Sequence, residues 1–224
     1  MSSTTLAVLH GVRLASVAGP ESLAARTGLA AESLDAVLSE CLQRGWLRRT
    51  EGRLAGWSLT RSGRAEGERL LSLQVEAAGC RATLEAVYAE FLPLNAEVLE
   101  VCTDWQVMRR DGQPRPNDHS DPGHDDAVLQ RLGRLHHATR PLLARTAQLL
   151  ERFGGYEPRL SAAVDHTLAG RTEWFTRPTI DSYHTVWFEL HEDLLATLGR
   201  RRSDEAPGRG ARTPRPPALL EERR

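Results

Sequence analysis

The sequence predicts a mainly α-helical protein, with a small N-terminal unit of three helices and one short β-hairpin followed by a C-terminal α-helical bundle. Three observations predict this. Apolar residues recur at intervals of three and four over most of the chain. Residues 77 to 199 show almost no strand signal, and the whole chain has one isoleucine, Ile180. A single pair of short extended segments stands out, Trp46 to Arg49 and Gly56 to Thr60, on either side of the turn Thr50-Glu51-Gly52-Arg53.

The N-terminal elements follow in order. Leu6, Leu9, Val12 and Val17 lie at roughly helical spacing up to Gly19-Pro20. Pro20 suits the first position of a second helix, with Glu21 in its first turn and Leu23, Ala24 and Ala25 inside. Gly28 interrupts that helix, since glycine accepts a positive φ without strain. Leu34, Val37, Leu38 and Leu42 mark a third helix that stops at Gly45. Ala24 is the small residue expected where two helices cross, Gly28 forms the turn, and Leu34 seats the second helix.

This register, Leu23-Ala24-x-x-x-Gly28-Leu29, then Gly45-Trp46-Leu47, then Leu59-Thr60-x-x-Gly63-Arg64, resembles winged helix-turn-helix transcriptional regulators of the broad MarR and PadR type. The resemblance covers residues 6 to 70 and implies contact with double-stranded DNA. In a helix-turn-helix the groove-facing residues lie near the start of the second helix and one turn along it. Here those positions are Ala30, Ala31, Glu32, Asp35, Ala36 and Ser39. None is Arg, Asn or Gln, the side chains that pair bidentately with purine edges, so base readout is expected to be weak. Affinity would come from arginines on phosphates or in a narrow minor groove. The candidate DNA-contacting residues are therefore Arg26, Ser33, Ser39, Arg44, Arg48, Arg49, Arg53, Arg61 and Arg64.

The body is read as four or five amphipathic helices. Leu84, Val87, Tyr88, Phe91, Leu94, Asn95, Val98, Leu99, Cys102 and Trp105 form the first stripe, and Pro93 is predicted to kink it. Val128, Leu129, Leu132, Leu135, Leu142, Leu143, Leu149 and Leu150 form the second, interrupted at Pro141. A shorter helix runs through Leu160, Val164 and Leu168, and the last through Tyr183, Val186, Trp187, Leu190, Leu194 and Leu198. Such bundles dimerise or sense ligands in bacterial regulators. The stretches Asn117 to Asp121 and Asp181 to His191 resemble actinobacterial regulator-like proteins, a similarity that implies no particular ligand.

Seven of the eight histidines and three of the five tryptophans fall in this body. Trp105, His119, Trp174, Tyr183, His184 and Trp187, with Asn117 and His191, are the candidate lining of an effector cavity. The segment from Arg109 to Asp121 is expected to be a long loop and a possible lid. Asn117 to Asp126 is dense in oxygen and imidazole groups and reads either as a metal or ligand loop or as a helix start, with Asp121 as N-cap and Pro122 at the first position. His184 and His191 are seven apart, about 10 Å along a helix, too far to share one ion. His136 and His137 are neighbours whose side chains diverge by about 100°. Glu189, His191, Glu192 and Asp193 read as ordinary helix decoration.

Composition sets the outer limits. With 224 residues, 40% hydrophobic and 26% charged, the chain can bury a substantial core. All 29 basic residues are arginine, which excludes lysine Schiff bases and a P-loop lysine and reads as GC-rich codon usage. Cys41, Cys80 and Cys102 are too scattered for a disulfide framework or a zinc knuckle. No leader pattern or long apolar run is present, so a cytoplasmic protein is expected. Net charge is +2 over residues 1 to 75, −7 over 76 to 199 and +4 over 200 to 224, which suggests three parts with different jobs; taken with the resemblance, these are expected to be a winged helix unit, a helical dimerisation and effector domain and a disordered basic tail. No GxSxG, HExxH, Walker or GxGxxG pattern occurs, so neither an enzyme nor a cofactor or metal site is expected. The functional expectation is a homodimeric, ligand-responsive DNA-binding regulator. The alternative is an interaction or ligand-binding module whose winged helix no longer contacts DNA.

Overall fold

A computed structural model describes residues 3–52, 55–110 and 112–205. Among these the chain is mainly helical, with two small antiparallel hairpins. No described helix is long and apolar enough to cross a membrane.

Helix α1 spans Ser3–Ala15, α2 Pro20–Thr27 and α3 Ala31–Gln43. Pro20 does open α2, whose C-terminal glycine, Gly28, takes φ 66° and donates its N–H to the Ala24 carbonyl at 2.9 Å. Leu34, Leu38 and Cys41 form the buried face of α3. At the α1–α2 crossing Gly11 lets α2 approach closely, since a Cβ there would meet Leu23 at 3.3 Å. The first helix is shorter than its apolar spacing suggests. Ser16 adopts φ 63°, Val17 lies in a bend, and Ala18 forms an isolated bridge outside the helix.

That short segment joins the hairpin formed by β1, Leu47–Thr50, and β2, Gly56–Leu59. Ala18 and Trp57 exchange backbone hydrogen bonds at 3.0 and 2.9 Å, so the hairpin is tied to the connection between α1 and α2. Thr60 then caps α4, Arg61–Ala78: its hydroxyl accepts from the Gly63 N–H at 3.0 Å and donates to the Gly45 carbonyl at 2.6 Å. Gly63 is required there by packing, because a Cβ at that position would lie 1.9 Å from the Trp46 carbonyl oxygen.

The remaining helices are α5, Arg81–Gln106; α6, Pro122–Leu149; α7, Tyr156–Leu168; the short α8, Glu173–Thr176; and α9, Tyr183–Leu198. A 3-10 turn, Glu151–Gly155, links α6 to α7. Helices α5 and α6 run unbroken through Pro93 and Pro141, contrary to the interruption expected at the second. Each proline forfeits one backbone bond, but both rings lie on exposed faces and the opposite faces are held by core contacts.

The expected loop from Arg109 to Asp121 is also corrected. Residues Val107–Arg110 and Gln113–Pro116 form a second hairpin, β3–β4, with Val107 opposite Pro116 and Arg109 opposite Pro114. Prolines two apart in a two-stranded ribbon can both turn their nitrogens to the outer edge, where no N–H is needed. Gly112 takes φ 74° in its turn.

Two apolar cores result. The first joins Leu6, Val8, Leu9 and Val12 of α1 to Leu23, Leu34, Leu38 and Leu47. The second fills the body around Phe91, Trp105, Leu132, Leu143, Phe153, Leu160, Tyr183 and Trp187. They are not separated at residue 75. Helix α4 gives Leu70 and Leu71 to the first core and Val75 to the second, and α9 gives Ala196 to the first and most of its length to the second.

Candidate functional site

The N-terminal unit presents a polar outer face. Ala31, Glu32, Ser33, Asp35, Ala36, Ser39 and Glu40 are all exposed on α3, opposite its buried leucines. Ser33 and Ser39 therefore lie on the solvent side, as the expected groove-facing surface requires. Arg49, Arg61 and Arg64 are exposed and carry no ion pair among the described residues. Arg48 donates from Nε to Ser58 Oγ at 3.1 Å. Arg44 is paired with Glu40 at 2.9 Å and lies 4.9 Å from the centre of the Trp46 ring, so its charge is already partnered locally. Arg53 lies outside the described residues.

Arg26 is placed differently from its expected role. Its guanidinium pairs with Glu189 on α9, which also takes two hydrogen bonds from Arg159 at 3.0 Å each. Arg159 in turn clasps Asp181 through Nε at 2.8 Å and Nη2 at 3.0 Å. Hydrogen bonds from Arg159 hold the Asp181 carboxyl below its ordinary range. Arg26 is thus a tie between α2 and the body rather than a cation facing solvent.

Two further ties lie along the same face of α9. Arg13 reaches Glu192 at 3.2 Å and Glu68 at 3.0 Å. His10 Nε2 stands 3.0 Å from Asp193 Oδ1, at ion-pair distance without the alignment of a linear hydrogen bond. Asp193, 2% exposed, also accepts from Arg152 at 2.7 Å and from the Tyr156 hydroxyl at 2.9 Å. Burial alone would raise its pKa, but the charges of Arg152 and His10 override that and hold it well below the carboxylate range. Glu189 and Asp193, which read in sequence as surface decoration, are buried polar anchors. The available signal was a set of acids spaced three and four apart inside an otherwise apolar helix, where unpaired charge is not tolerated.

The candidate effector residues divide into separate groups. Trp105, Asn117 and His119 come together at the end of α5. The Trp105 and His119 rings are 4.5 Å apart, and Asn117 donates to the Trp105 carbonyl at 3.1 Å and to Asp125 at 2.9 Å. His119, at φ 56°, is bound through Nδ1 to Asp125 at 2.9 Å. Asp121 caps α6, accepting from Gly123 and His124 N–H groups at 3.0 and 3.2 Å. No group of three or more His, Cys, Asp or Glu placed to hold a metal occurs among the described residues. A depression of about 340 Å³ opens beside the second hairpin, lined by Met108, Arg115, Pro116 and Asp118 rather than by the expected aromatic residues.

Trp174 packs on His166, with ring centres 4.1 Å apart. Tyr183 and Trp187 are core residues with no exposed surface, stacked on each other at 6.1 Å. Trp187 donates its indole N–H to Asn95 at 3.0 Å. His184 lies 4.3 Å from the Phe188 ring, and burial depresses its pKa. His191 is buried next along the same aromatic cluster, against Tyr88 and against Phe91, which also stacks on Trp187 at 4.9 Å, and its Nε2 is 2.6 Å from Glu205. The eight residues therefore do not share one cavity. Cys41 and Cys102 are buried thiols pushed up to about 11 and about 12 by desolvation, which leaves them protonated.

No protein-family model matches the chain, and no curated protein or solved structure is significantly similar to it.

Proposed function

We propose that this chain is a ligand-responsive DNA-binding transcriptional regulator. Its N-terminal unit is a winged helix-turn-helix that contacts duplex DNA, and its helical body dimerises and binds an effector. The observation that carries the reading is the polar outer face of α3, set after a glycine turn, in a unit that also exposes Arg49, Arg61 and Arg64 without ion pairs among the described residues. The β1–β2 hairpin, tied to Ala18 through Trp57, serves as the wing. Phosphate contacts from the arginines supply affinity, and the short side chains of α3 read sequence weakly. Effector binding alters operator affinity by its differential affinity for two arrangements of the paired recognition helices.

Fluorescence anisotropy with a labelled duplex from the chain's own upstream region tests this. Binding is expected to weaken between 50 and 200 mM salt, on a log–log slope of about −0.9 per neutralised phosphate. Binding that ignores salt overturns the wing-arginine account. A second reading, an interaction module without DNA contact, is favoured by Glu32, Asp35 and Glu40 on the outer face of α3 and by the capture of Arg26 by Glu189. Absence of DNA affinity at low salt selects it.

A further inference from the structure

We propose that the body carries a site for a small aliphatic carboxylate, formed by Tyr88, Phe91 and His191, and that the chain's own Glu205 occupies it as a tethered ligand. The inference rests on that part of the functional reading in which the helical body binds an effector, and it names the site and the ligand class.

Helix α9 ends at Gly199, whose φ of 67° turns the chain back over the body. Six residues on, Glu205 Oε1 accepts from His191 Nε2 at 2.6 Å and from the Tyr88 hydroxyl. Both donors are 2% exposed and come from different helices, α9 and α5. Phe91 forms an apolar floor, with its ring centre 5.0 Å from His191 and 6.2 Å from Tyr88. Arg200 lies 5.3 Å from the centre of the Tyr88 ring and Arg202 5.1 Å from that of Phe188.

The donor chemistry selects the ligand. Burial first, and then the charge of Arg202, lower the His191 pKa, against the pull of Glu205. That lowering favours the neutral imidazole, and the 2.6 Å contact with a carboxylate oxygen makes Nε2 the N–H donor. A phenol and a neutral imidazole converge on one oxygen in a nearly dry site, and both are left unpaired when no acceptor arrives. An acceptor-only carboxylate on a short methylene stem fits. From its Cα outward the Glu205 side chain is chemically a butyrate. Attached six residues beyond Gly199, it competes with any free carboxylate at an effective concentration in the millimolar range or above. The other face of α9 carries Glu189, Glu192 and Asp193, which hold Arg26, Arg13 and His10, so the site lies on the helix that joins the two cores.

The test is an NMR titration of full-length wild-type and Glu205→Ala protein with sodium butyrate at constant ionic strength, followed at the His191 ring signals and without DNA. Glu205→Ala is expected to saturate at least tenfold lower butyrate than wild type, equivalent to about 1.4 kcal/mol. Butyramide is expected to give no saturable shift, and adding His191→Phe to Glu205→Ala is expected to abolish butyrate binding, read then at the Trp187 indole signal. A midpoint lowered by less than about tenfold overturns the proposal. So does the absence of a His191 shift in Glu205→Ala, or butyramide acting as well as butyrate. Because DNA takes no part, failure of the DNA-binding reading and failure of this site are separate results.

Discussion

His10 on the first helix and Asp193 on the last stand 3.0 Å apart, and the carboxylate between them also takes Arg152 at 2.7 Å and Tyr156 at 2.9 Å. Asp193 thus serves α1, the turn after α6 and α7 at once. Removing its charge leaves Arg152 with no partner of opposite sign in a nearly enclosed site, and losing one partner of a buried pair costs about 3–5 kcal/mol. Asp193→Asn is expected to lower unfolding free energy by about that much in urea melts. A loss below about 1 kcal/mol would mean that the network contributes little beyond shape.

The pH dependence has two parts with a common sign. Burial lowers the pKa of His136, His184 and His191, so the unfolded chain binds protons that the native one refuses as pH falls below about 6.5. Stability therefore begins to drop there. Asp193 and Asp181 are held below their ordinary value of 3.8, so their contribution is complete above that pH and is lost as pH falls through the native values. Thermal melts from pH 8 to 3 are expected to show a shallow decline below about 6.5 and a steeper one below about 4. His184→Phe is expected to soften the first and Asp193→Asn the second. A melting temperature that rises on acidification over either interval contradicts these assignments.

Gly63 and Gly133 make opposite demands on the same substitution. An added Cβ at Gly63 would strike the Trp46 carbonyl oxygen at 1.9 Å, whereas Gly133, within α6, has nothing within 4 Å. Gly63→Ala is expected to destabilise by about 1–3 kcal/mol through overpacking. Gly133→Ala is expected to stabilise by about 0.5–1 kcal/mol through the lower backbone entropy of the unfolded chain. Denaturant midpoints of the two variants, measured side by side, should move in opposite directions.

What the sequence made legible was local. Pro20, Gly28 and Gly45 mark helix ends through backbone chemistry that needs no partner, and Leu34 and Leu38 show their buried side by spacing alone. The same holds for Asp121, whose capping bonds reach only two and three residues ahead. The second hairpin was hidden inside a segment expected to be a loop, because Pro114 and Pro116 lack the N–H groups of an ordinary strand and fit one only when their period of two is matched to an outer edge. The dispersal of the aromatic set was not legible either. Trp187 stood in the apolar stripe of its helix, but spacing does not say that its indole pairs with Asn95 or that Trp174 packs on His166, so it could not show that the two are apart. Glu205 lay in a stretch read as a basic tail, and only the fold brings it to Tyr88 and His191.

The arginines separate the two readings of the N-terminal unit. A cation that neutralises a phosphate in the complex adds about 0.9 to the salt slope, and its removal weakens binding on every sequence alike. Arg49, Arg61 and Arg64 are free of ion pairs among the described residues, so Arg61→Ala is expected to lower the slope by about one unit with little change in melting temperature. Arg26 already answers Glu189, and its charge is not available to a phosphate without breaking that pair. Arg26→Ala is therefore expected to leave the slope unchanged while lowering the melting temperature, because Glu189 loses one of its two arginines and α2 its tie to α9. Ser39→Ala should alter neither quantity. If Arg26→Ala reduces the slope as Arg61→Ala does, the N-terminal unit must swing off α9 to bind DNA, and the closed arrangement is the unbound one.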